Sequence, residues 1–138
     1  MERFFSRILP QYETSLIQAL RIALGVIFVW FGVLKIFGYN PVYEIIHASF
    51  PWFAEGIGLV VLGVIEVLIG VGLFINLVPR AVHAALLFHL LGTLTVFVSG
   101  PEVMFQPFFP ILTLAGEFVF KNIVLALSGL VVLGHRKT

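Results

Sequence analysis

The chain has no cysteine, no aspartate among its acids, and few charges of either sign, which occupy only 11% of its 138 positions. Without cysteine there is no disulfide framework, thiolate metal site, iron–sulfur cluster, c-type haem or dithiol relay. Without aspartate a Ser-His-Asp constellation is excluded. The missing charge is matched by an apolar excess: 60% of residues are hydrophobic and the mean hydropathy is +1.11. Soluble domains run at about 25% charged and 45–50% apolar, so a water-soluble enzyme is ruled out. Eight Lys and Arg against seven acids leave a net charge of +1, too small and too scattered for a nucleic-acid footprint. Any redox chemistry must come from a cofactor or a partner, so the chain is not a self-sufficient oxidoreductase.

What is present is apolar sequence in lengths that cross a bilayer, about 20 residues each. Four spans are expected, Ser15–Phe37, Ile57–Val78, Ala81–Val98 and Ile111–Leu133, forming one all-α, four-helix transmembrane domain over residues 1–138. Arg3 and Arg7 ahead of the first span suggest a signal peptide, but the apolar stretch is too long and no small-residue cleavage site follows. The cations outside the spans, Arg3, Arg7, Arg80, Arg136 and Lys137, all fall on one side. Segments 38–56 and 99–110 carry Glu44, Glu55 and Glu102 but no Lys or Arg. Translocated loops are depleted in cations, so both termini and the turn at residues 76–80 are expected in the cytoplasm.

The two longer loops concentrate aromatics (Tyr39, Tyr43, Phe50, Trp52, Phe53, Phe105, Phe108, Phe109) among Pro41, Pro51, Pro101, Pro107 and Pro110. They read as an interfacial belt or as a cover over an outward-facing site. Helical spacing of Val42, Ile45, Ile46 and Ser49 or Phe50 predicts a short interfacial helix.

The residues that need explaining are ionisable groups inside the spans, since each charge at a helix centre costs about 2.5–3.5 kcal/mol on insertion scales. Arg21, Gly25, Phe28, Gly32 and Lys35 share one stripe of span one, and Gly56, Gly63, Glu66 and Gly70 one stripe of span two. Small residues let membrane helices approach closely, so both charged stripes should face other helices. In span three His89 shares a face with Gly92 and Thr93, while His83 points away. In span four Glu117, Lys121 and Ser128 share a face, with Glu four residues before Lys. His83 and His89 have neither the spacing of a metal site nor the common face of a b-type haem. From depth, Arg21 can pair with Glu66 and Lys35 with Glu117; Glu117 should contact at least one of Lys35 and Lys121, leaving the other to anchor a small anion or a quinone carbonyl. The blander alternatives are snorkelling of Arg21 and Lys35 and a self-neutralising Glu117–Lys121 pair.

The run Arg21-x3-Gly25-x2-Phe28-x-Trp30-Phe31-Gly32-x2-Lys35 resembles the first helix of the DoxX-like membrane proteins, particularly the YkgB-like branch. Gly63-x2-Glu66-x3-Gly70 and His89-x2-Gly92-Thr93 are similar to the second and third helix motifs, and residues 112–122 to the opening of the last. The resemblance implies a four-helix inner-membrane protein. Some relatives are linked to quinone-coupled sulfur oxidation or to defence against oxidants and reactive chlorine. The expected function is therefore a subunit of a membrane redox or oxidant-stress system, with Arg21, Lys35, Glu66, His89, Glu117 and Lys121 as its polar network. No covalent cofactor or metal is expected; a quinone or small anion, a protein partner or a second copy is. The rival readings are a small proton-linked transporter and a structural assembly partner.

Overall fold

A computed structural model describes the backbone of residues 2–135 and the side chains of residue 10 and residues 12–135. Of the cations that set the expected orientation, Arg136 and Lys137 lie outside the described residues, as do the side chains of Arg3 and Arg7. The described residues are helical with no strand, and four stretches are long and apolar enough to cross a membrane. They are Tyr12–Ile36 within α1 (Glu2–Ile36), all of α4 (Gly58–Ile75), Pro79–Ser99, and Leu114–Gly134. Pro79–Ser99 is α5 (Pro79–Leu94) followed by α6 (Val96–Ser99), and Leu114–Gly134 is α8 (Leu114–Phe120) followed by α9 (Asn122–Gly134). The protein is a multi-pass membrane protein. Below, the side holding the long loops is called the loop side and the opposite one the terminal side.

Helix ends follow from local chemistry. Pro79 begins α5, where its missing N–H is no loss. Asn76 closes α4 in the left-handed region at φ 54°, and its N–H bonds Gly72 O, so the chain reverses within a few residues. The Thr113 hydroxyl accepts from Gly116 N at 2.9 Å and starts α8. Between the first two spans, α2 (Tyr43–Ser49) is the interfacial helix anticipated from its spacing, and α3 (Pro51–Ala54) follows it. Between the last two lies α7 (Pro101–Met104), and a single bridge between Phe105 and Leu112 closes the loop after it.

Three boundaries differ from expectation by three residues or more, the second span ending at Ile75 rather than Val78 because Asn76 closes the helix. The first helix starts at Glu2 rather than near Ser15, so at about 1.5 Å per residue it overshoots a hydrocarbon core about 30 Å thick. The last span begins at Leu114 rather than Ile111, because residues 111–113 bridge back to the loop, with Thr113 N on Met104 O at 2.9 Å.

The two small-residue stripes make the closest contact. A methyl added at Gly32 would lie 2.5 Å from Gly63 O, and one added at Gly63 would lie 2.6 Å from Gly32 O. Lower down, Gly25 and Gly70 meet in the same way. Antiparallel α1 and α4 are therefore locked in one register at backbone contact. Two apolar cores flank this crossing. Leu24, Ile69, Leu73, Leu86 and Val132 fill the terminal half, and Ile45, Val96, Met104 and Val119 fill the loop half. A thin polar layer separates them.

Candidate functional site

The α1–α4 register decides which charges can meet. With Gly32 opposite Gly63 and Gly25 opposite Gly70, Arg21 lies level with Phe74, two turns past Glu66. The Arg21 guanidinium instead donates to Leu73 O and to Phe74 O, the latter at 3.1 Å. These carbonyls end α4 without an intrahelical partner, and a cation there also meets the negative end of the helix dipole. The expected Arg21–Glu66 pair is thus replaced by a helix cap.

Glu66 pairs with Lys35. Side chains lean towards the N-terminus of their own helix, so Lys35 reaches from the loop-side end of α1 down into the bundle, and Glu66 leans upward from α4 to meet it. Lys35 Nζ donates to both carboxylate oxygens, at 2.8 and 3.0 Å, with the side chains 6% and 5% exposed. Lys35 therefore neither snorkels nor joins Glu117, as depth alone had suggested. Its ammonium also stands 5.9 Å above the Phe31 ring. From α5, His89 Nε2 approaches Glu66 Oε1 at 3.1 Å, with the Phe28 ring edge-on at 5.4 Å. The contact is electrostatic rather than a hydrogen bond, and a ring hydrogen on Nε2 suits it better than a lone pair facing the carboxylate.

Magnitudes bear on why such a cluster exists. At an effective dielectric of ~20, charges 2.8 Å apart attract by about 6 kcal/mol. Inserting the two charges costs about 5–7 kcal/mol in all. The terms nearly cancel, so the pair is tolerated rather than strongly stabilising, which is the usual balance for buried ion pairs.

Span four contributes a polar residue the sequence reading passed over. Asn122, 6% exposed, donates from Nδ2 to the Thr93 hydroxyl at 2.7 Å, and that hydroxyl donates to Leu90 O at 2.7 Å. The signal was its phase: Gly116, Val119, Asn122, Gly129 and Val132 recur at steps of three or seven and form the buried face. Glu117 and Lys121 lie on the other face and are exposed. They line none of the cavities described here, and no ion pair joins them among the described residues. The expected outer cluster of Lys35, Glu117 and Lys121 is not formed, because Glu117 and Lys121 face outward from the bundle. His83 is buried, its Nδ1 2.6 Å from Pro79 O, and no group bonds its Nε2 among the described residues.

Three cavities meet at the polar layer. A vestibule of about 650 Å³ opens on the loop side, with Lys35 in its wall and Glu44, Glu102 and Gln106 around it. Beneath it a space of about 60 Å³ is bounded by Lys35, Glu66, His89, Thr93 and Asn122. A lateral cleft of about 330 Å³ lies between α4 and α5, walled by Leu62, Ile65, Phe88 and Gly92, with His89 and Thr93 at its inner end. Ile65 and Phe88 are themselves exposed, so the cleft opens sideways, towards lipid. Ile45 of α2 borders all three spaces, while Trp52, Phe108 and Phe109 stay exposed. The loop aromatics thus split between roofing the site and facing outward. No group of three or more potential metal ligands occurs among the described residues.

Residues 16–100, more than half of the chain, match the DoxX family. The chain belongs to the DoxX family. The match takes in Lys35, Glu66 and His89 and stops before Asn122, so this DoxX-family site is built mainly from the matched part and completed by the last span. No curated protein and no solved structure matches the chain.

Proposed function

We propose that this DoxX-family protein is a subunit of a bacterial inner-membrane redox or oxidant-stress system that contacts a quinone at the Lys35–Glu66–His89 cluster. The observation that carries the reading is the position of His89. It stands at the inner end of an apolar cleft open to lipid and 3.1 Å from a buried, charge-compensated carboxylate. A lipid-soluble ring enters such a cleft without crossing water, and a cleft of about 330 Å³ is within the range of small-molecule sites. A free anion is the weaker occupant, because Glu66 already neutralises Lys35. The proton-linked transporter is weaker too, since its path would have to cross the layer of Leu24, Leu73 and Leu86 on the terminal side. The similarity of residues 112–122 to the YkgB-like branch supports the oxidant-stress setting. Both termini lie in the cytoplasm under this reading.

Affinity purification in mild detergent, followed by mass spectrometry for quinone and partner proteins, tests the reading. Co-purifying quinone that is lost in His89→Leu is the expected result; quinone content equal to that of an unrelated four-span protein contradicts it. A reporter fused at the C-terminus should be active only in the cytoplasm, and activity only across the membrane would overturn the orientation.

A further inference from the structure

The hydrogen-bond inventory of the polar layer has a direction. Lys35 donates to both oxygens of Glu66, and His89 turns its Nε2 towards the same carboxylate at 3.1 Å. In the imidazole tautomer that carries its hydrogen on Nε2, facing the carboxylate, Nδ1 is a bare lone pair. No hydrogen bond reaches that nitrogen among the described residues. Thr93 cannot serve it, because its hydrogen goes to Leu90 O and its oxygen receives Asn122 Nδ2. Ser49, the other polar side chain of the cleft, gives its hydrogen to Ser99, whose own goes to Thr95 O. The side-chain groups with spare capacity that line the cleft thus accept rather than donate, the His89 lone pair among them.

Resting on the reading of the cleft as a quinone site, we infer that it selects the reduced, hydroxyl-bearing form, with His89 Nδ1 accepting a hydrogen bond from the ring hydroxyl. Glu66 and Lys35 are positioning residues: the carboxylate faces Nε2 and so favours the tautomer that leaves Nδ1 free, and the ammonium holds both carboxylate oxygens in place. A quinone offers only carbonyl acceptors, so it would set an oxygen lone pair against a nitrogen lone pair. A hydroquinone has the same ring and tail and supplies the missing donor. Discrimination follows because a buried acceptor left unmade costs more than the bond gains.

Equilibrium binding to the purified full chain in detergent, under strictly anaerobic conditions, tests this with three probes of one shape. They are a short-tailed 1,4-hydroquinone, its quinone, and its dimethyl ether, which keeps the ring and loses the donor. The hydroquinone should bind about tenfold more tightly than either of the others. His89→Phe should bring the three affinities within about threefold of one another, while Lys121→Met, on the outward face, should keep the preference. Equal or tighter binding of the quinone by the native chain overturns this inference and leaves the quinone site standing. Retention of the hydroquinone preference in correctly folded His89→Phe also overturns it. Binding of none of the probes overturns the proposed function and this inference with it.

Discussion

The molecule holds two lysine–glutamate combinations inside membrane-spanning segments, and they have opposite fates. Lys35 and Glu66, on different helices and far apart in sequence, are buried and bonded at 2.8 Å. Glu117 and Lys121, four apart on one helix in the favourable order, are exposed on the outward side of the last span. Sequence proximity favoured the second pair. Helix register and the lean of side chains favoured the first. Of the two pairs, the buried one is the pair whose helices meet through small residues, as Gly32 and Gly63 do beside Lys35 and Glu66.

The most severe way to break this contrast is to remove one charge of the buried pair. Glu66→Ala leaves an uncompensated ammonium in the bundle and should cost roughly 3–5 kcal/mol, read as a large drop in the thermal unfolding midpoint in detergent. Lys35→Met combined with Glu66→Met should regain most of that loss, since two apolar groups leave nothing unpaired. A double variant no more stable than Glu66→Ala would mean that the carboxylate matters for reasons other than its charge.

Gly32→Leu attacks the scaffold beneath the pair. Its side chain would meet Gly63 O and Val67, so the helices must separate, at about 1–3 kcal/mol. Wild-type stability in this variant would show that the α1–α4 crossing is looser than the register requires. Asn122→Leu removes one interhelical bond to Thr93, worth about 0.6–1 kcal/mol in membrane proteins, and should shift the unfolding midpoint by an amount between those of Gly32→Leu and the outward-face variants. At the other end of the scale, Lys121→Met should stay within about 0.5 kcal/mol of the parent. A loss for Lys121→Met as large as that for Glu66→Ala would erase the distinction between the two pairs.

Much of the architecture was legible because the bilayer imposes it: four apolar runs of sufficient length, and glycine stripes that marked helix contacts and turned Glu66 inward. The pairing was not. Depth counted from the ends of spans placed Arg21 with Glu66, whereas the glycine register sets Arg21 two turns lower, at the carbonyls that end α4. The inward face of the last span was also misjudged. In lipid the outward face is as apolar as the inward one, so polar residues alone had to indicate direction, and Glu117 and Lys121 outweighed a single asparagine. Asn122 was readable only through its phase with Gly116 and Gly129, a pattern of small residues rather than of charge. The cleft beside His89 depends on how α4 and α5 diverge beneath α2, which no local pattern encodes.

The most direct test of the central claim, that the polar site is the cluster of Lys35, Glu66 and His89 reached from the lipid, is to locate a bound ring chemically. A photoactivatable, short-tailed hydroquinone is bound to the purified chain, irradiated, and the labelled residues are mapped by peptide mass spectrometry. The account predicts label on the cleft walls, at Leu62, Ile65, Phe88 or His89, and its loss in the presence of excess unlabelled hydroquinone. Competable label confined to Glu117, Lys121 and their outward neighbours, with none in the cleft, would contradict it.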